Sequence, residues 1–196
     1  MTDKSTPDQP TTQATPPPRP LPGDRPLERE VERMVRVDHA GEFGAARIYD
    51  GQLAVLGPNH RLSPTIRHMA EQERRHLDTF DRLVNDRRVR PTVLAPMWNV
   101  AGFALGAATA LMGERALMAC TAAVEEVIDD HYRAQRDTLG DNDPELAQVV
   151  EEFRAEEIEH RDTAIAHGAE DTPGYTLLSG TIKAGCRAAI WLSKRI

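Results

Sequence analysis

The chain has 196 residues, of which 40% are hydrophobic and only 5% aromatic, and this length favours one domain with a substantial core. Its formal net charge of -7 argues against nucleic acid as the main partner, because phosphate backbones attract basic surfaces. Cys120 and Cys186 lack the spacing of a metal or disulfide motif. We therefore expect two reduced thiols that are buried as small apolar side chains.

The N-terminal segment, residues 1–26, is dominated by proline, threonine, glutamine and aspartate, with five prolines between Pro16 and Pro22. Such a segment cannot bury enough apolar area to offset its chain entropy, so we predict a disordered tail. It lacks the charged-then-apolar pattern of a signal peptide, so no export is expected. The predicted domain covers residues 27–196.

From Leu27 onward the apolar residues fall at helical spacing and strand patterns are scarce, which predicts an all-α domain. Gly57 ends the first helix, Ser63 caps the second with Pro64 at its first position, and Gly168 ends the fourth. The five predicted helices run from Leu27 to Leu56, Ser63 to Val84, about Pro96 to Leu139, Pro144 to about His167, and Tyr175 to Ile196.

Carboxylates and histidines interrupt the apolar stripes of the first four helices, where the spacing calls for another leucine or isoleucine. The first and third helices each place one glutamate there. The second and fourth each place a glutamate followed three residues later by a histidine, and these two lie on one helix face. The six candidate ligands are Glu42, Glu73, His76, Glu125, Glu157 and His160.

This pattern predicts a metal centre inside a ferritin-like four-helix bundle. Burying an unpaired carboxylate costs several kcal/mol, so the alternatives are solvated helix faces or pairing with arginine, whereas a multivalent cation removes the cost. Two glutamates and two Glu-x-x-His pairs form the ligand set of di-iron and di-manganese bundles, and imidazole favours a transition metal. Glu42 and Glu73 are 31 residues apart, and Glu125 and Glu157 are 32 apart, which indicates a repeated helix hairpin.

Other polar residues near this pattern are weaker candidates. Asp38 continues the line of Glu42 along the first helix. We expect His39 either at the surface or behind a ligand. His131, beside Tyr132, either contacts substrate, orients a ligand or is structural. Three histidines are expected to be exposed: His60, His68 and His167.

Longer stretches surround the candidate ligands. They are VDHAGEFGAARIYDGQL from Val37, EQERRHLDTF from Glu71, RPTVLAPMWNVAGFALGAATALMG from Arg90, ACTAAVEEVIDDHY from Ala119, FRAEEIEHRDTA from Phe153, and AGCRAAIWLS near the C-terminus. Through them the chain resembles the demethoxyubiquinone hydroxylases, which install a ring hydroxyl late in ubiquinone biosynthesis. The resemblance covers Leu27 to Ile196 and implies a carboxylate di-iron site with the same six ligands.

The resemblance also implies the reaction. The expected activity is O2-dependent hydroxylation of a demethoxyubiquinol, a 2-polyprenyl-3-methyl-6-methoxy-1,4-benzoquinol, with two iron ions per chain. Tyr132 and His131 are implied near the substrate or the redox path. The implied external reductant is NADH, acting through the quinone itself or through a reductase, and the sequence leaves that choice open because it holds no Gly-rich dinucleotide motif.

Two segments are predicted to associate with a membrane, as a polyprenyl substrate requires. Residues 93–113 carry no charge over 21 residues, and we expect shallow insertion, with core packing and spanning as alternatives. The fifth helix is expected to rest on anionic headgroups, with a solvated basic face as the alternative. Its basic and apolar residues are Lys183, Arg187, Lys194 and Arg195, against Leu178, Ile182 and Trp191.

The expected location is therefore the cytoplasmic face of the inner (cell) membrane, as a peripheral protein, with membrane lipid and other ubiquinone-biosynthesis proteins as partners. Two other functions use the same kind of bundle. Iron storage would need a closed soluble cage, against which the uncharged 93–113 segment speaks. A manganese catalase would need access for peroxide rather than for a lipophilic tail.

Overall fold

The computed structural model describes residues 27–196, and the predicted disordered tail, residues 1–26, lies outside the described residues. Within the described part there is no strand, which confirms the all-α prediction. Six helices follow one another, with a short 3-10 turn, Ala169–Asp171, before the last. They are α1 (Leu27–Leu56), α2 (Ser63–Asp86), α3 (Ala95–Leu111), α4 (Glu114–Leu139), α5 (Pro144–Ala166) and α6 (Tyr175–Ser193).

Four of these helices, α1, α2, α4 and α5, form a bundle whose interior is divided into layers. α1 packs against α2, and α4 packs against α5. An apolar layer around Phe80, Leu139 and Val150 fills one end, and another around Ile66 and Leu117 fills the other. Since every one of the four helices contributes to both layers, the residues midway along each helix face one another in the centre of the bundle.

The third predicted helix is wrong in its extent. The helix is interrupted at Gly113, whose φ is 111°, and α4 begins at Glu114 instead of continuing α3. Glycine tolerates that backbone conformation, whereas other residues rarely do. The uncharged segment is therefore a separate helix, and α4 alone carries Glu125 into the bundle.

The predicted cap of the second helix is also wrong. Leu62 occupies the N-cap position and no side chain caps α2. The Ser63 hydroxyl instead donates a hydrogen bond to the carbonyl oxygen of Gly57, at 2.6 Å. Ser63 therefore closes the loop between α1 and α2.

α3 lies against α1 at backbone contact distance. A Cβ atom added at Gly106 would stand 1.9 Å from the carbonyl oxygen of Ile48, and one at Gly51 would stand 2.2 Å from that of Phe103. This face of α3 is packed, as the core-packing alternative required. Its other side exposes apolar residues, including Val100 at 69% and Leu111 at 76%.

α6 packs against α4 and leaves part of its surface free. Ile182 is buried. Lys183, expected among the residues that face headgroups, donates instead to Glu126 of α4 at 2.6 Å. Leu177 and Trp191 are exposed. No helix within residues 27–196 combines the length and apolarity needed to cross a membrane.

Candidate metal centre

The structure brings all six predicted ligands together in the central layer of the bundle. Each is at most 2% exposed. Their ligand atoms form two groups, and within each group these atoms lie no more than 4.8 Å apart. The first group is Glu42, Glu73, His76 and Glu157, and the second is Glu73, Glu125, Glu157 and His160. Glu73 and Glu157 belong to both groups, as residues that bridge two ions would.

The inner nitrogen of each histidine faces carboxylate oxygens. His76 Nδ1 lies 3.1 Å from Glu157 Oε1 and 3.4 Å from Glu42 Oε2. His160 Nδ1 lies 3.3 Å from both Glu157 Oε2 and Glu73 Oε1. The two oxygens of Glu157 thus face one histidine each, as they would if this carboxylate lay between two metal ions.

The chemistry of this layer fits a pair of cations. Both oxygens of Glu73 and of Glu157 are buried without a hydrogen-bond partner, and so are the Nδ1 atoms of His76 and His160; their short contacts lack hydrogen-bond alignment. Uncompensated buried carboxylates are costly, whereas metal ions would satisfy these atoms together. The mixed oxygen and nitrogen donors suit a first-row transition metal.

The pKa values of the residues in this layer also favour bound cations. Burial and the neighbouring Glu157 raise the pKa values of Glu73 and Glu125. Burial would lower the pKa of His76, but the carboxylates of Glu157 and Glu42 raise it overall. Without a cation the centre therefore retains protons, and metal binding would release them.

An outer pair of side chains orients the two histidines. His76 Nε2 donates to Glu156 Oε2 at 3.0 Å, and His160 Nε2 donates to Gln72 Oε1 at 3.1 Å. Gln72 Nε2 also donates to Glu156 Oε2, at 2.9 Å. These bonds fix the tautomer that leaves each Nδ1 free to bind metal. Neither of these two residues was among the predicted site residues, although each directly precedes a predicted ligand.

Two tyrosines donate hydrogen bonds to Glu42 and Glu125, the two glutamates that each belong to only one ligand group. Tyr49 OH donates to Glu125 Oε1 at 2.7 Å, and Tyr132 OH donates to Glu42 Oε1. Burial raises the pKa of both phenols, so they remain protonated donors. Tyr132 was predicted near the substrate or redox path, and its contact with Glu42 puts it beside the centre. Tyr49 was not among the predicted site residues.

The remaining histidines lie outside the six-residue layer. His131 Nε2 is 3.2 Å from Asp38 Oδ1, and His39 Nε2 is 2.9 Å from Asp81 Oδ1. His68 and His167 are exposed, as predicted. The prediction for His60 is wrong, because its side chain is only 30% exposed and lies 3.2 Å from Glu114.

The cysteines do not form a disulfide. Cys120 and Cys186 are free thiols, as predicted. Cys120 is fully buried, whereas Cys186 is only partly buried. Burial raises the pKa of both thiols, so both stay protonated at neutral pH.

An apolar cavity of about 460 Å³ lies beside the metal centre and is lined by residues of α1, α3, α4 and α6. Its walls are mostly aliphatic. Four polar side chains from the bundle also line it: Asp38, Glu42, His131 and Tyr132. The cavity can therefore hold a lipophilic molecule whose polar head lies against Glu42, a member of the first ligand group, and against Tyr132.

The chain is similar to proteins of one family along nearly its whole described length. A family model described as "Ubiquinone biosynthesis protein COQ7" matches residues 29–193. The chain is 56% identical to the 3-demethoxyubiquinol 3-hydroxylase of Rhodospirillum rubrum, over 90% of this chain and 83% of that protein.

Mitochondrial proteins of eukaryotes are similar too. Identity is 56% to the NADPH-dependent 3-demethoxyubiquinone 3-hydroxylase of Mus musculus, over 84% of this chain and 77% of that protein. It is 42% to the 5-demethoxyubiquinone hydroxylase of Saccharomyces cerevisiae, over 85% and 78%. These similarities confirm the resemblance recognised in the sequence: the chain belongs to the family of the ubiquinone biosynthesis protein COQ7.

Proposed function

We propose that this protein is a di-iron monooxygenase that hydroxylates the ring of a demethoxyubiquinol with O2. The observation that carries the proposal is the junction between the metal centre and the cavity. Glu42 belongs to the first group of candidate ligands and also lines the apolar cavity. A lipophilic ring in the cavity would therefore meet the metal centre directly. Family membership selects this reaction among the oxidations that such a centre can perform.

Glu42, Glu73, His76, Glu125, Glu157 and His160 would hold two iron ions within a ferritin-like bundle. When bound, the ions supply the activation of O2 and the oxygenation of a ring carbon. The protein itself binds the ring, orients the ligands and excludes water. The tyrosines fix one oxygen each of Glu42 and Glu125, and the aliphatic cavity walls keep water from the ring.

The substrate and reductant follow from the cavity and from the relatives. A polyprenyl benzoquinol matches an apolar cavity with a few polar groups at one wall. The reductant is expected to be a reduced nicotinamide. The family resemblance implies NADH, while the name of the Mus musculus relative specifies NADPH. The relatives' names also cite the substrate in both its quinol and its quinone form.

Access to a polyprenyl tail supports peripheral membrane association through α3 and α6, on the cytoplasmic face of the inner (cell) membrane. Both helices border the cavity and also expose apolar side chains. A tail leaving the ring site would pass between them into lipid. Other enzymes of ubiquinone biosynthesis are the expected partners, since they share this membrane-dissolved intermediate.

The test is quinone analysis by mass spectrometry in a strain that lacks this protein. We expect a species one methoxy group short of ubiquinone to accumulate and to disappear when the wild-type gene is restored. A gene encoding Glu157→Ala should fail to clear this species, because the substitution removes the carboxylate that belongs to both groups of candidate ligands. Glu159→Ala is the matched control, since Glu159 lies on the same helix and is exposed.

Iron content separates loss of the centre from loss of the fold. Purified Glu157→Ala should lose iron but keep its helicity, because the apolar layers on either side remain. A normal ubiquinone profile in the deletion strain, with no second hydroxylase present, would refute the proposed function. A full iron complement in Glu157→Ala would refute the assignment of this ligand.

A further inference from the structure

The polar wall of the cavity contains a carboxylate that the metal centre does not use. Asp38 is 2% exposed and belongs to neither group of candidate ligands. Its Oδ1 accepts a hydrogen bond from Gln135 Nε2 at 2.6 Å and lies 3.2 Å from His131 Nε2. Its Oδ2 is buried and has no partner. One carboxylate oxygen of a residue that lines the cavity therefore has no hydrogen-bond partner.

The distance between Asp38 and the metal centre suits a single ring that lies beside both. It precedes Glu42 by four residues on α1, which is about 6 Å along the helix axis, and both line the cavity. That rise is comparable with the breadth of a benzoquinol ring between its two oxygens. On α4, the neighbours His131 and Tyr132 contact Asp38 and Glu42 respectively. A ring held at Asp38 would therefore lie alongside Glu42.

We propose that Asp38 accepts a hydrogen bond at Oδ2 from a ring hydroxyl and so selects the benzoquinol over the benzoquinone. The identity of the ring rests on the proposed function. A quinol hydroxyl donates, whereas a quinone oxygen only accepts and would face the carboxylate without a hydrogen bond. Sites built to bond a hydroxyl discriminate strongly against analogues that lack one, because a buried polar group is then left unpaired.

Burial has the largest effect on Asp38 and raises its pKa overall. Glu42 adds to that rise in pKa, whereas the contacts with His131 and Gln135 oppose it. A hydroxyl on Oδ2 adds one more donor in the direction that favours the carboxylate. The indole Nε1 of Trp98, in the wall formed by α3, is also buried without a partner. As a donor it can serve either redox form and does not discriminate.

The test is anaerobic calorimetric titration of the iron-loaded protein with a decyl-tailed demethoxy benzoquinol and with its quinone. Repeating it with redox-inert Zn²⁺ in place of iron excludes electron transfer during binding. We expect the wild type to bind the quinol at least about tenfold more tightly than the quinone. Asp38→Asn replaces one acceptor by an N–H donor at almost the same volume. It should lose this preference and bind the quinone at least as tightly as the quinol.

Glu32→Gln is the matched control, because it removes one charge from an exposed position on the same helix and should keep the wild-type ratio. An unchanged ratio in Asp38→Asn would overturn the inference, and so would a wild type without preference, even if the variant does not fold. A wild type that hydroxylates the ring but binds both forms equally would refute the inference alone. A wild type that binds neither form would overturn the proposed function as well.

Discussion

Different side chains lie behind the two histidines of the metal centre. His76 donates to a carboxylate, Glu156, whereas His160 donates to the neutral amide oxygen of Gln72. A carboxylate partner makes an imidazole a stronger electron donor than an amide partner does. The two metal positions are therefore expected to differ in affinity, although their inner ligands follow the same pattern.

Glu156→Gln tests this difference. The substitution keeps an acceptor for His76 but removes its charge, so we expect iron affinity in the group containing His76 to fall about 10- to 100-fold. The other position should change less. The measurement is anaerobic Fe²⁺ titration of the metal-free protein, with Glu159→Gln as an exposed control on the same helix. Equal affinities in Glu156→Gln and wild type would contradict the role given to Glu156.

For single residues, helical spacing correctly predicted which side chains face inward, and the structure places all six candidate ligands in one layer. It could not predict the outer contacts. Gln72 of α2 reaches His160 of α5, and Glu156 of α5 reaches His76 of α2. Such pairs depend on how the helices are rotated and displaced against each other, which the period of one helix does not determine. The same holds for Tyr49 and Glu125.

At the scale of elements, the start of α5 is held by one carboxylate. Asp143 accepts a hydrogen bond from the backbone N–H of Leu146 at 3.1 Å and pairs with Arg87, the residue that follows α2. Pro144 at the start of the helix has no N–H of its own that would need a partner. The side chain thus caps one helix and ties it to the end of another.

Asp143→Ala should therefore destabilise the protein by about 1–2 kcal/mol at neutral pH. The pairing with Arg87 and the Leu146 N–H lower the pKa of Asp143. A depressed carboxyl pKa contributes stability above its unfolded value, near 3.9, and that contribution is lost as the pH falls through the folded value. Urea unfolding at neutral and acidic pH measures this. Asp141→Ala, at an exposed neighbour, is the control, and a difference between Asp143→Ala and wild type that persists undiminished at low pH would contradict the explanation.

The break between α3 and α4 shows where the periodicity of an element misleads. The apolar spacing continues from 96 to 139 and therefore predicts one helix, whereas the structure ends α3 before Gly113. What favours the break is the close packing of α3 on α1 through Gly51, Gly102 and Gly106. Contacts between helices that are far apart in sequence thus decided the extent of the helix.

Gly106→Ala tests this packing. The added Cβ would meet the backbone of Ile48, which cannot move aside as a flexible side chain can, so we expect a loss of about 1–3 kcal/mol in stability. The displaced α3 should also weaken binding of a decyl-tailed quinol in the cavity. Gly180→Ala, at an open helical position on α6, should instead leave stability unchanged or raise it by up to about 1 kcal/mol. Equal thermal stabilities for the two variants would exclude close packing as the reason for glycine at 106.

At the scale of the whole molecule, α3 and α6 stand outside the four-helix bundle and border the cavity. Their exposed apolar residues include Val100, Leu111, Leu177 and Trp191. Of the four basic residues predicted to face headgroups, Lys183 pairs with Glu126, whereas Arg187, Lys194 and Arg195 are exposed. The proposed membrane surface thus combines apolar side chains from two helices with three positive charges near the C-terminus.

Flotation with liposomes tests the proposed surface and separates its two contributions. Neutralising Arg187, Lys194 and Arg195 to glutamine should weaken binding to anionic vesicles at low salt, because attraction by the surface potential is about 1 kcal/mol per basic residue, and high salt should remove the difference. Leu111→Ser with Leu177→Ser should weaken binding at every salt concentration, since burial of apolar area does not depend on screening. Lys183→Gln is the control and should float like the wild type, because its charge is already paired. Flotation that is unchanged in both the basic and the apolar variants would remove α3 and α6 from the account of how the protein reaches its lipid-soluble substrate.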